Sequence, residues 1–300
     1  MSPRNSSWEQ LKLAHPAGLA PTIQKLHHAA QFVAMIGDSL LPRTEDDAQS
    51  SMRWHRALKA LVGRKVDLGI PSRLALVYPV FELRFLDDDD RSLSTLLLEG
   101  QSKENVYDWM RENISAFGGQ VSDLHPIRHF EIPHHAVDGI VPFHKPNARE
   151  LEELARYRAN ADLVLRELSG HFDRCSPVRI WPHHFDIATV LEVDGDGKTE
   201  QATKTIGMGW AIPDNLIDDP YFYVTPWRKT GKIDFEKNSE LPAGQWMLKK
   251  NWQGAVLPAT DIVLEPTASA QHERVQRFLQ VAVNESLRLL GRQELTLEKP

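Results

Sequence analysis

The stretch VRIWPHHFDIATVLEV, residues 178–193, does most to decide the fold. Its apolar and β-branched residues predict one long strand. Pro182 interrupts this strand, because proline cannot donate a hydrogen bond within a sheet. Residues 203–212 and 221–227 predict the next two strands along the chain. Strands that follow one another without a helix between them favour antiparallel pairing.

Amphipathic helices are predicted on both sides of this block of strands, at residues 147–172 and 268–290. The preceding part of the chain has the same order of elements, beginning with a helix over 22–41 that Thr22 caps. The further predicted elements are strands at 51–61, 74–86, 93–98, 127–132, 246–249 and 255–262, tight turns at 87–90 and 194–197, and a helix from Ser102 to 117.

This order predicts an α+β fold of antiparallel sheets with flanking helices, in two similar helix–strands–helix halves. We expect a partly ordered leader over residues 1–21, a first half over 22–146 and a second half over 147–300. The two halves are expected to pack as one compact unit.

The composition is that of a globular protein, with 41% hydrophobic and 25% charged residues. The net charge of −6 argues against a nucleic acid partner, which usually requires a basic face. Cys175 is the only cysteine, so no internal disulfide can form. No apolar run approaches the roughly 20 residues that cross a bilayer. The sequence therefore predicts a cytoplasmic protein with no membrane partner.

Histidine is the unusual residue of this chain. Of the 13 histidines, eight lie between positions 125 and 184, and the triplet Pro-His-His occurs at 133–135 and at 182–184. In a regular strand, His184 and Asp186 share one face, while His183 points to the other.

A divalent metal such as zinc is one interpretation of these residues, with His184, Asp186, His134 and His135 as candidate ligands. Glu131 is a further candidate. A bound metal would activate water for hydrolysis. The alternatives are histidines with a structural role, and a metal-free site in which His184 and Asp186 form a catalytic pair or grip a ligand.

Aromatic residues are concentrated in the same part of the chain, with five of the eight tryptophans between 181 and 252. Aromatic side chains with a few polar groups line many ligand pockets, although they also fill cores. The ligand-binding residues predicted on this basis are Trp181, Trp210 and Tyr223, with Glu131 at the wall of the site.

Two short segments give the chain a resemblance to a bacterial family of uncharacterised proteins, known as a domain of unknown function. They are CSPV at 175–178 and FDIA at 185–188, directly after a long helix. Weaker similarities follow in the same order at 130–133, 141–143, 209–210, 220–223 and 257–258. The resemblance implies the fold but no activity. The chain departs from the family at His183-His184, which makes Asp186 the first candidate for a functional residue.

The leading functional prediction is a small-molecule-binding or enzymatic protein with its site near residues 181–186. The rivals are a metal-dependent hydrolase and a non-catalytic scaffold or interaction protein. The sequence leaves open whether the protein is an enzyme, what its ligand is and whether it forms oligomers.

Overall fold

A computed structural model describes residues 7–125, 130–139, 141–194 and 202–292. Contacts divide the chain into two units. The first unit consists of residues 18–155 and 179–185. The second consists of the residues up to 17, residues 156–178 and those from 186 onward. The boundary at 155 falls inside the long helix predicted over 147–172.

The first unit is built on a meandering antiparallel sheet. Its elements are α1 (Ala20–Leu40), β1 (Arg53–His55), β2 (Ala60–Val62), β3 (Val66–Asp67), β4 (Pro71–Val77), β5 (Glu82–Leu86), β6 (Ser92–Leu97), α2 (Lys103–Ala116), the start of α3 (Ala148–Ser169) and β7 (Arg179–Ile180). The strand order is β1-β2-β4-β5-β6, with β3 beside β4. Small and branched side chains form its core cluster, namely Ala60, Val62, Ala75, Val77 and Leu86.

The second unit is a similar combination of sheet and helices. It contains the rest of α3, β8 (Ile187–Glu192), β9 (Lys204–Ala211), β10 (Tyr221–Arg228), β11 (Gln245–Lys249), β12 (Trp252–Pro258), α4 (Ala259–Val263) and α5 (Ala268–Leu289). Its strands follow the order β11-β12-β10-β9-β8, all antiparallel. The predicted α+β class with antiparallel sheets and flanking helices is confirmed. No helix among the described residues is long and apolar enough to cross a membrane.

Two predicted strands are wrong because each is a hairpin. The segment 51–61 forms β1 and β2, and the segment 74–86 forms β4 and β5. Lys59 and Phe81 take left-handed φ values of 47° and 55° in these turns. Neither residue is a glycine or an asparagine, and the turn at Lys59 carries no signal in the sequence, whereas the turn from Tyr78 to Phe81 has Pro79 at its second position, a signal that the sequence analysis missed.

Helix starts were predicted with mixed success. Ser102 caps α2 as predicted, since its hydroxyl accepts a hydrogen bond from the Asn105 backbone. Thr22 does not cap α1, because the helix already begins at Ala20 and the Thr22 hydroxyl donates to Glu150 instead.

The turn predicted at 87–90 is present, with Asp90 at φ 60°. Residues 195–197 of the predicted turn and residues 127–129 of the strand predicted at 127–132 lie outside the described residues. Residues 130–132, which are described, do not form a strand.

Residues 7–17 of the predicted leader are anchored in the second unit, whereas residues 18–21 belong to the first unit and lead into α1. Trp8 and Leu11 are buried, and both hydrogen-bond to the Gln271 side chain on α5.

Candidate functional site

Residues 181–186 form a turn rather than a strand. β7 ends at Ile180 and β8 begins at Ile187. The Phe185 backbone donates to the Trp181 carbonyl at 2.8 Å, and Phe185 has a left-handed φ of 52°. The prediction that alternate residues of this segment share a face is therefore wrong, because the chain reverses at Pro182 instead of staying extended.

Two side chains of α1 hold this turn in the first unit. His27 Nε2 donates to the Pro182 carbonyl at 2.7 Å, and Gln31 Nε2 donates to the same oxygen at 2.9 Å. The His27 ring also stacks on the Phe185 ring, with centroids 4.8 Å apart. These contacts stabilise a residue with an unfavourable φ directly before Asp186.

The next residue of α1 holds the other Pro-His-His triplet. His28 Nε2 donates to the Pro133 carbonyl at 2.9 Å, and the His28 side chain is fully buried. Burial lowers the pKa of His28, which favours the neutral ring with its proton on Nε2. Adjacent histidines of one helix therefore anchor both triplets, a role that the sequence analysis missed.

The loop after Pro133 closes around Asp138. The His135 backbone donates to Asp138 Oδ2 at 3.1 Å, and Lys103 hydrogen-bonds to Oδ1. His134 Nδ1 lies 3.2 Å from Oδ2. Partial burial would raise the pKa of Asp138, but Lys103 and the His135 N–H outweigh it and hold the pKa at about 2. Asp138 is thus a fixed carboxylate that sequence reasoning did not identify.

The predicted metal ligands are not brought together. Within the described ranges, no group of three or more His, Cys, Asp or Glu side chains is arranged to hold a metal ion. His134 faces Asp138, whose carboxylate also contacts the Lys103 ammonium and the His135 backbone N–H. The exposed His184 packs its ring against His183 at 4.5 Å. The ligand set that the spacing suggested therefore receives no geometric support.

Trp181 and Glu131 belong to the first unit. Trp181 is partly buried, with its ring 6.0 Å from that of His183 and 5.8 Å from the Arg179 guanidinium. Glu131 is exposed. Neither position adds a polar group to the contacts around Asp138.

Asp186 and Tyr223 form the central pair of the second unit. The Tyr223 hydroxyl donates to Asp186 Oδ2 at 2.7 Å. Asp186 is only 8% exposed, and its Oδ1 has no hydrogen-bond partner among the described residues. Burial and the Asp186 charge raise the pKa of Tyr223, so the phenol stays protonated and remains a donor. A buried carboxylate thus has one good donor and one unsatisfied oxygen.

Gly209 makes room for this pair. It lies opposite Tyr223 in the β9–β10 ladder. A Cβ atom at position 209 would lie 2.6 Å from the Ile187 carbonyl and 2.8 Å from the Tyr223 hydroxyl. The absence of a side chain at Gly209 therefore allows the phenol to reach Asp186.

A second tyrosine–aspartate pair lies beside the first. Tyr221 donates to Asp214 Oδ2 at 2.8 Å, and the rings of Tyr221 and Tyr223 are 6.3 Å apart. Asp214 is exposed, and its other oxygen accepts from the backbone of Leu216. Both tyrosines pack with Trp252 in the apolar cluster of the second unit. This face of the sheet combines aromatic rings with two carboxylates.

Trp210 lies on the opposite face of the same sheet. It pairs with Phe222, next to the Tyr223–Gly209 pair, and neighbouring pairs point to opposite sides. Its indole stacks on Tyr157 at 5.4 Å and lies 4.9 Å from the Arg158 guanidinium. The structure therefore brings Tyr223 to Asp186 and places Trp210 on the other face of the sheet.

Comparison of the chain with known protein families, with curated proteins and with solved structures finds no match. The resemblance to a family of uncharacterised bacterial proteins stays a prediction.

Proposed function

We propose that this protein binds a small organic cation, an amine or a guanidinium, through Asp186. The observation that supports the proposal is Asp186 Oδ1, a buried carboxylate oxygen without a hydrogen-bond partner among the described residues. Burying a charge without a partner is costly, so proteins usually pair or hydrogen-bond such groups. A ligand ammonium supplies both the missing donor and the compensating charge.

The surroundings of Asp186 suit a cation better than a neutral alcohol or an anion. Tyr223 is partly buried, and the buried Tyr221 lies beside it, with the two rings 6.3 Å apart. Aromatic rings attract cations through their negative faces. Asp214, bound to the Tyr221 hydroxyl, adds a second negative charge. An anionic ligand would be repelled by both carboxylates.

A matched residue in the same unit shows what a purely structural aspartate looks like. Asp219 is also 8% exposed, and its Oδ1 is also unpartnered among the described residues. Its Oδ2, however, accepts from both the backbone and the hydroxyl of Thr260, at the start of α4. Asp219 therefore fixes the start of α4. Asp186, by contrast, accepts a hydrogen bond from one side-chain hydroxyl and from no backbone N–H among the described residues.

Calorimetric titration with a cation and its neutral and anionic analogues tests the proposal. Benzylamine, agmatine and choline are the cationic probes, and benzyl alcohol and benzoate are the controls. We expect at least one cation to bind the wild-type protein, with a loss of at least about tenfold in affinity in Asp186→Asn. Asp219→Asn, if folded, should bind as the wild type does. Binding of none of the cations, or equal binding by Asp186→Asn, would rule the proposal out.

A further inference from the structure

The strand β6 forms one edge of the sheet of the first unit. Within the described ranges, it pairs with β5 on one side and with no strand on the other. Its residues, SLSTLL, and the following Leu98 include no charged residue and no proline. Native proteins often protect an open edge with such residues, because unpaired N–H and C=O groups can pair with another strand. The edge at β6 lacks this protection.

The backbone of β6 directs the N–H and C=O groups of Thr95 and Leu97 out of the sheet. The Leu98 N–H donates to the carbonyl of Phe81, directly before β5, at 3.1 Å. Successive residues of an antiparallel strand direct their backbone groups to opposite edges, so those of Thr95 and Leu97 point away from β5. The register shift of the β5–β6 ladder lies at the start of β6 and leaves 94–97 regularly paired. This stretch can therefore accept a further strand.

The side chains along this edge are largely apolar and exposed. Leu97 is 58% exposed and Leu93 is 37% exposed. Thr95, between them, is exposed as well. Fully burying a leucine side chain contributes about 1.5–3 kcal/mol. Two exposed leucines at an open edge therefore favour a partner that covers both.

Charged groups of different kinds lie at the two ends of β6. The acidic turn 87–90 and the exposed Arg91 precede the strand. After the strand, Glu99 contacts the exposed His144 and accepts a hydrogen bond from the backbone of the exposed Lys145. A parallel neighbouring copy would place one acidic turn beside another. An antiparallel copy places the acidic turn beside Lys145, and Arg91 beside Glu99, so that opposite charges meet.

We propose that β6 pairs with β6 of a second copy of this chain, across a two-fold axis at Thr95. A two-fold axis makes the paired strands antiparallel and presents the same residues from both sides. With Thr95 opposite Thr95 of the second copy, Leu93 lies opposite Leu97, and Arg91 comes next to Glu99. The leucines of each copy then cover those of the other, and the sheets of the two first units join into one. The interface does not involve the second unit, which contains the proposed cation site.

Sedimentation of the full chain with charged variants at Thr95 tests the interface. We expect the wild type to be a dimer at about 100 μM chain. Thr95→Lys and Thr95→Glu should each be monomeric, because like charges would lie directly opposite each other. An equimolar mixture of the two variants should form the dimer again. Leu248→Lys is the matched control, since Leu248 is 50% exposed on the edge strand β11 of the other sheet, and it should remain dimeric.

Cross-linking tests the register separately. Directly opposite residues of a hydrogen-bonded antiparallel pair have Cα atoms about 5.5 Å apart, a separation that a disulfide spans. Cys175→Ser removes the only cysteine of the chain. In this background, Thr95→Cys should form a disulfide-linked dimer on oxidation, whereas Leu248→Cys should not.

Four results would overturn the proposal. The first is a monomeric wild type, since the edge would then be open or covered by another molecule. The second is a dimeric Thr95→Lys or a monomeric Leu248→Lys, either of which would place the interface elsewhere. The third is a mixture of Thr95→Lys and Thr95→Glu that stays monomeric although both proteins are folded by circular dichroism. The fourth is a dimer in which Thr95→Cys does not cross-link.

Discussion

Tyr223 and Asp186, which are 37 positions apart in the chain, are joined by a 2.7 Å hydrogen bond that satisfies only one oxygen of a buried carboxylate. The pairing of β9 with β10 places Tyr223 opposite Gly209, and Gly209 in turn lies opposite Ala188 in the β8–β9 ladder. The register of the strands β8, β9 and β10 therefore brings the Tyr223 side chain next to Asp186.

Removing the Tyr223 hydroxyl should destabilise the protein. Tyr223→Phe leaves both Asp186 oxygens without a described donor, and we expect a loss of about 1–3 kcal/mol in the free energy of unfolding. Tyr221→Phe is the control, because Asp214 is exposed and keeps its backbone donor from Leu216. Urea denaturation should show the smaller loss for Tyr221→Phe. Equal losses would mean that the Tyr223–Asp186 hydrogen bond contributes no more to stability than the Tyr221–Asp214 hydrogen bond.

Adding one methyl group at Gly209 should disturb the same pair. The new Cβ would meet the Ile187 carbonyl at 2.6 Å as well as the Tyr223 ring. We expect Gly209→Ala to lose about 2 kcal/mol or more of stability, because a backbone oxygen cannot easily move away. Gly18→Ala, with no atom within 4 Å of the added methyl, should stay within about 0.5 kcal/mol of wild type. Thermal unfolding would compare the two variants. A Gly209→Ala protein as stable as wild type would contradict the close packing of the Ile187 carbonyl and Tyr223 around Gly209.

The adjacent histidines of α1 should differ in their contribution to stability. His27→Phe keeps a ring against Phe185, and Gln31 still donates to the Pro182 carbonyl, so we expect a loss of about 1 kcal/mol. His28→Phe removes the described donor of the Pro133 carbonyl and a buried contact of Lys103. We therefore expect urea denaturation to show a larger loss in the free energy of unfolding for His28→Phe than for His27→Phe. The reverse order would show that His28 does not anchor the 133–138 loop.

Asp138 should give the protein a pH-dependent stability. Its pKa is held at about 2 in the folded protein, below the usual value of 3.8. The contribution is therefore present above pH 3.8 and is lost as the pH falls toward 2. We expect Asp138→Asn to cost roughly 1 kcal/mol at neutral pH, after allowance for solvent screening, and the difference from wild type to shrink in acid. Urea denaturation at several pH values would check this. A difference that does not change with pH would contradict it.

The sequence predicts the fold class because its long apolar strands and amphipathic helices have clear periods. The alternation over 203–212 and 221–227 matches β9 and β10 closely. The first unit was predicted less well, since the turns at Lys59 and Phe81 use left-handed residues that are not glycine. Residues 56–59 contain no glycine, proline, asparagine or aspartate to signal the first of these turns, whereas Pro79 signals the second and was overlooked.

The candidate site was predicted in part. The histidine-rich segment and the resemblance to a family drew attention to Asp186, and the concentration of aromatic residues drew attention to Tyr223. Their contact depends on strand register, which the sequence does not show. The anchoring roles of His27 and His28, and the position of Asp138 beside Lys103, depend on contacts between distant parts of the chain.

The free energy of unfolding of Asp186→Asn without ligand tests the central claim most directly, because it requires no knowledge of the ligand. If the Asp186 charge is needed to bind a ligand and not to stabilise the fold, replacing Asp186 by asparagine removes the free-energy cost of burying a carboxylate with one unpartnered oxygen. The asparagine carbonyl can still accept the Tyr223 hydroxyl. We predict that Asp186→Asn equals or exceeds wild-type stability by up to about 1 kcal/mol, whereas Asp219→Asn is destabilised. A loss of stability in Asp186→Asn as large as that in Asp219→Asn would contradict the account.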